Sequence, residues 1–137
     1  SPSLAMIASG VPMGAIIARE GLEFTKGEHG STFAGGPIAC AAGNATFGII
    51  EQLLPGIAAK GELFRKGLAA FNPRVRGLMV GFTLGESAPK LAELCKEQGV
   101  LINVAGDGNI RIVPPLTISA DEINYAVGVI NEAAGQI

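Results

Sequence analysis

The chain has 137 residues, of which 48% are hydrophobic, 16% charged and 5% aromatic; ten basic side chains against twelve acidic ones leave a net charge of -2. That length favours one domain, and the lack of a basic stripe backed by stacking aromatics excludes a nucleic-acid surface. A mean hydropathy of +0.41 is high for a soluble monomer, so part of the apolar surface is expected to lie under a partner.

In chain order, the run from Leu4 to Ala18, "LAMIASGVPMGAIIA", lacks a basic leader region and is broken by Gly10, Pro12 and Gly14. It is too short to span a bilayer, so no membrane partner is expected. Overlapping its end, "GAIIARE", Gly14 to Glu20, reads as a short buried strand ending at charge. Residues 21–36 form a glycine-rich loop, long enough to be functional or ordered only by a neighbour. Pro37 suits a first helical turn, and a helix is predicted from there to Leu54. Pro55-Gly56 should break it, with a second helix from Ile57 to Phe71 stopped by Asn72-Pro73.

Arg74 to Leu84 reads as one strand, and "APKLAELCKEQG" as an amphipathic helix closed by Gly99. Val100 to Val113 has the form of a hairpin around Asp107-Gly108. Ser119 and Glu122 make a capping box for a last helix. Adjacent strands with helices able to cover one face predict an α+β fold, helices packed on a small sheet.

Few residues are candidates for chemistry. His29, next to Glu28, has no further ligands for a metal, and the two cysteines, Cys40 and Cys95, follow no metal or disulfide spacing. Both thiols read as small core residues in a reducing cytoplasm. Lys26 reads as solvated and Tyr125 as packing. Ser31 and Thr32 stand among glycines at 30, 35 and 36. They serve either a turn or helix cap, or an anion held by uncovered backbone amides. Arg111 stands between Ile110 and Ile112, so strand alternation turns its guanidinium away from them. It is either an edge arginine on a solvated face or the partner of a carboxylate, from Asp107 or from a substrate.

Together, "GEHGSTFAGGPIACAAGNATFGIIE" and "GVLINVAGDGNIRIVPPLTIS" closely resemble the acetylornithine/ornithine aminotransferases, within the class III pyridoxal-phosphate aminotransferases. "GVPMGAIIARE", "VRG" and "LMVGF" match as well, so the resemblance runs from Gly10 to the end of the chain. It implies the small C-terminal domain of a pyridoxal-phosphate transferase fold over residues 37–137, with a remnant of the large cofactor-binding domain over 1–36. It further implies a cytoplasmic homodimer, or a complex with the missing large domain. The reaction implied is arginine-pathway transamination, moving an amino group from acetylornithine or a related amine to 2-oxoglutarate.

By the same resemblance, Thr32 of "HGSTF" binds the cofactor phosphate across the dimer interface, with Ser31 assisting. Arg111 of "IRxxPPL" clamps the α-carboxylate of the substrate, a task lysine does not share because it lacks the planar fork. One departure weighs against activity. The family's Schiff-base lysine falls at Ala5, within "LAMIASGVP", and the residues of the earlier large domain have no counterpart here. Transamination needs that amine to tether the cofactor and move a proton, so this partial chain is expected to be inactive alone. Two other readings stand beside it: a stand-alone α+β interaction module, and a phosphate- or carboxylate-binding protein using only Thr32 and Arg111.

Overall fold

The computed structural model describes residues 3–5 and 10–137. The chain divides into two compact units, Ser1–Gln52 and Leu53–Ile137. In the first, β1 (Ser3–Ala5) pairs antiparallel with β2 (Gly14–Ile16), and the glycine-rich loop follows. The middle of the Leu4–Ala18 run, residues 6–9, lies outside the described residues. The predicted buried strand is present at β2 but is not buried: Ile16 and Ile17 are both exposed. A three-residue ladder supplies no second layer, so among the described residues of this unit no layer buries those side chains. Among its described residues the one buried position is Gly43, where an added Cβ would meet the Met13 sulfur at 2.8 Å.

The second correction concerns Pro55. Helix α1 runs unbroken from Pro37 to Gly67, with Pro55 inside it. Proline removes the bond that would reach the Glu51 carbonyl and crowds that carbonyl, at a cost of about 3 kcal/mol. The division between the two units falls beside it, at Gln52 and Leu53. Beyond the proline, Phe64 and Leu68 are buried in a core. Fully burying such side chains yields about 1.5–3 kcal/mol each, enough to offset the broken bond.

The second unit is the α+β layer. Its strands β3 (Arg74–Arg76), β4 (Met79–Thr83), β5 (Asn103–Ala105) and β6 (Asn109–Ile112) form one antiparallel sheet in the order β3-β4-β6-β5. What reads as a single strand from Arg74 to Leu84 is thus a hairpin. Gly77 takes φ +60°, and it and Leu78 make the two-residue loop between paired Arg76 and Met79. Glycine enters that region without the steric cost that other residues bear, which is why the hairpin turns there.

Helix α2 (Ala88–Glu97) ends as expected at Gly99, φ +79°. The Gly99 amide donates to the Lys96 carbonyl and the Val100 amide to the Cys95 carbonyl, satisfying the helix's last acceptors. Helix α3 (Ala120–Ala134) opens with the predicted capping box. The Glu122 amide donates to Ser119 Oγ at 3.2 Å, and the Ser119 amide donates back to the Glu122 carboxylate at 2.7 Å. Inward residues of the sheet (Val80, Phe82, Ile110, Ile112) share one core with Leu91 and Cys95 of α2, Ile123 and Ile130 of α3, Phe64 of α1 and Leu68 just past its end. Phe71 and Phe82 stack with centroids 4.8 Å apart. Burial raises the Cys95 thiol above its ordinary pKa, as suits a core residue; Cys40 is only half-buried.

Two substitutions test this packing by urea denaturation. A Cβ at Gly61 would stand 2.5 Å from the Gly77 carbonyl oxygen, whereas at Gly56 it would meet nothing within 4 Å. Gly61→Ala should therefore destabilise by about 1–3 kcal/mol, while Gly56→Ala should stabilise by about 0.5–1 kcal/mol. At the start of α3, Ser119→Ala should cost about 1 kcal/mol. The backbone hydrogen bond from Ser119 holds the Glu122 carboxyl below its ordinary pKa. Its stabilising effect is thus complete above the ordinary glutamate range and fades as pH falls through the lowered value. The urea midpoint should drop on acidification less in Glu122→Gln than in the natural sequence.

Candidate substrate and cofactor contacts

Ser31 and Thr32 enter a tight turn in which the Ala34 amide donates to the Ser31 carbonyl at 3.3 Å. The first bond of α1 runs from the Cys40 amide to the Gly36 carbonyl, so glycine caps that helix and the two hydroxyls do not. Both side chains are exposed, and among the described residues neither hydroxyl has a hydrogen-bond partner. Ser31 lines a cleft of about 980 Å³ with Met13, Phe24, His29, Gly35 and Cys40. His29 stacks on Phe24, centroids 4.8 Å apart, as one wall of this cleft. Upstream, the Thr25 amide donates to the Glu28 carboxylate at 2.7 Å, which closes the loop on itself and holds the Glu28 pKa down. The result is a loop tip with two hydroxyls and glycine on both sides, open to an anion.

Arg111 belongs to the second unit. Strand β6 alternates as its sequence requires: Ile110 and Ile112 are buried and Arg111 is exposed on the opposite face. The expectation of an edge position is corrected, because β6 lies inside the sheet between β4 and β5. Its neighbours in register are Gly81 on β4 and Asn103 on β5. Asp107 is not its partner: among the described residues the ion pairs are Arg65–Glu62 and Lys90–Glu93. Pro114 and Pro115, which lack amide donors, end the strand beyond it. The following segment is pinned from α1, where Lys60 Nζ donates to the Leu116 carbonyl at 2.9 Å. Tyr125, expected to pack, is instead 60% exposed and donates its hydroxyl to the Gln98 carbonyl.

Sequence reasoning missed Arg74. Its partner across β3 and β4 is Gly81, so Arg74, Gly81, Arg111 and Asn103 form one row across the outer face. The signal was the "RVR" alternation, with Val75 half-buried between two exposed arginines. No local pattern says, however, that β3 and β6 flank the same strand.

The family profile described as "Aminotransferase class-III" matches residues 4–134. An acetylornithine aminotransferase of Methanosarcina acetivorans is 41% identical, the match covering 93% of this chain and 34% of that protein. The crystal structure of acetylornithine aminotransferase from Elizabethkingia anophelis superposes with a TM-score of 0.74 at 27% identity, over 83% of this chain and 34% of that one. A Bacillus anthracis aminotransferase gives a TM-score of 0.78 at 24% identity, over 98% and 38%. The chain thus spans about a third of the length of the curated relatives it matches, and over that part it shares their fold.

Because Arg111 is exposed and outside the core, Arg111→Gln should leave the urea midpoint unchanged to within about 0.5 kcal/mol. A larger loss would mean that the guanidinium holds the sheet together.

Proposed function

The chain belongs to the class-III aminotransferase family, and from that premise we propose that it carries two ligand grips of an acetylornithine-type transaminase. Thr32, assisted by Ser31, takes the phosphate of pyridoxal 5'-phosphate, and Arg111 takes the α-carboxylate of the amino-acid substrate. The observation that carries this reading is the outward guanidinium of Arg111, without a carboxylate of its own among the described residues, in a strand whose two isoleucines are buried.

Members of this class work with pyridoxal phosphate, which supplies the electron sink when bound. The residues present fit its phosphate end: two hydroxyls without a hydrogen-bond partner among the described residues, at a glycine-flanked turn. They do not supply a tether for its aldehyde, since Ala5, at the place of the family's lysine, carries no amine. This chain's own contribution is accordingly binding and orientation. The Arg111 fork donates two parallel N–H bonds to a carboxylate, fixing the rotation of the substrate about its α-carbon. The Thr32 hydroxyl donates to the phosphate of a cofactor bound across the dimer interface.

The names of the similar acetylornithine aminotransferases support acetylornithine as amino donor; to this we add 2-oxoglutarate as acceptor and a place in cytoplasmic arginine biosynthesis. Among the described residues no helix is long and apolar enough to cross a membrane. We place the boundary between the large-domain remnant and the small domain at 36/37. We assign Phe33, 94% exposed, and Ile38, 77% exposed, to a surface covered by the rest of the enzyme or by a second copy.

A second reading, a non-catalytic interaction module, is favoured by one observation: every buried apolar side chain among the described residues belongs to the second unit, which has its own core.

One preparation tests both. The purified chain is mixed with pyridoxal phosphate, N-acetylornithine and 2-oxoglutarate, then reduced with borohydride. No glutamate above the uncatalysed rate and no single-site lysine adduct are expected, while the amides of residues 30–36 should shift on adding cofactor. That shift should be lost in Thr32→Ala. Turnover with a stoichiometric adduct would overturn the predicted inactivity, and an absence of any shift would favour the module.

A further inference from the structure

A cleft of about 630 Å³ opens in the second unit between α3, the segment that follows α2 and the end of β6. Sites for small organic molecules span roughly 300–1,000 Å³. The floor of this cleft is core: Phe64, Ile112 and Ile130 are buried and still line it. On one wall Pro114 and Pro115 carry no amide hydrogen, so that wall offers an anion no donor. Among the described residues that line the cleft there is no lysine, arginine or histidine, and the two charged ones, Asp121 and Glu122, are both acids. An apolar body suits such a cleft, and a negative head does not.

The two acids are not equivalent. Glu122 Oε2 accepts from the Ser119 amide at 2.7 Å and from the Ser119 hydroxyl at 2.9 Å, and the Lys60 charge adds to their pull. Asp121 has no such match, since the ion pairs among the described residues are Arg65–Glu62 and Lys90–Glu93. Tyr125 stands four residues beyond Asp121, on the same side of α3. Its hydroxyl donates to the Gln98 carbonyl at 2.9 Å, which ties an exposed ring to the end of α2 at the rim of the cleft. An anchored aromatic ring beside an unmatched carboxylate attracts a cation, through the ring's negative face and through the full charge of the acid. The positive end of the α3 dipole opposes that cation with only about half a charge.

We infer that this cleft is a binding site for a small organic amine with an apolar body. The hydrocarbon lies on Phe64, Ile112 and Ile130, and the ammonium sits at the rim between the Asp121 carboxylate and the Tyr125 ring. Burial of the hydrocarbon supplies most of the affinity. Asp121 and Tyr125 select the positive head.

The test is a titration of the full chain, with isotope-labelled isoleucine methyl groups, against phenethylamine, phenethyl alcohol and phenylpropionate. The three share a ring and differ in the charge of the head. The methyl resonances of Ile118 and Ile130 should shift, with the amine bound about fivefold more tightly than the alcohol and the acid bound most weakly. In Asp121→Asn the amine should fall to the level of the alcohol, whose own binding should not change. Tyr125→Leu should weaken the preference for the amine and Tyr125→Phe, which keeps the ring, should retain it. Ala126→Leu, which places a larger side chain on the cleft wall, should abolish binding of all three. Glu122→Gln and Arg111→Gln should leave the preference as it is. A preference that survives in Asp121→Asn, an equal loss in Glu122→Gln or Arg111→Gln, or binding untouched by Ala126→Leu each overturns the proposal. So does the lack of any Ile118 shift at about 100 mM amine, or a shift on diluting the protein alone, which would show the cleft filled by a second copy.

Discussion

The two-residue alternation of β6 is the constraint on which the rest depends. Ile110 and Ile112 can enter the core only if Arg111 leaves it, and a slip of one residue would bury a guanidinium and expose both isoleucines. Such a slip would cost apolar burial and leave an unpaired charge desolvated. The core packing that holds the sheet in register therefore also fixes where the guanidinium stands. Strand β4 is bound to β6 in the same way: Val80 and Phe82 point inward, which leaves Gly81 facing out beside Arg111. Core and guanidinium face are two sides of one register.

The two units differ in how far they satisfy their own apolar residues. The second buries phenylalanine, leucine and isoleucine from all three helices and the sheet. The first exposes Ile16, Leu22, Phe24, Phe33 and Ile38 around a loop whose polar tip is Ser31 and Thr32. The chain spans about a third of its relatives' length, and the apolar side chains around this hydroxyl-bearing tip leave surface for other polypeptide to cover. Exposed apolar surface of this extent is normally covered in the functional assembly.

Much of the second unit was legible in the sequence because its signals are local. The Ser119–Glu122 box, the Gly99 terminator and the Asp107-Gly108 hairpin each work within a few residues, and each is present. Three readings failed where the deciding interaction was distant. Pro55 reads as a stop, yet the buried Phe64 and Leu68 carry the helix on beyond it. Gly77 sits in what looks like one continuous strand, and only the pairing of Arg76 with Met79 reveals the turn. "GAII" has the composition of a buried strand, but burial depends on a covering layer, which the described residues of this unit do not provide. The Arg74 side chain could not be assigned at all from sequence, because its neighbour Asn109 is 35 residues away.

The central claim, that the outward guanidinium of β6 receives the substrate's α-carboxylate, is tested most directly by a double-mutant cycle of binding affinity. One arm is Arg111→Gln; the other replaces N-acetylornithine by its carboxamide, which keeps the shape and removes the charge. The account predicts a coupling of about 1.5–3 kcal/mol between the two changes, as for hydrogen bonds to a charged group. Additive losses, with coupling near zero, would contradict it.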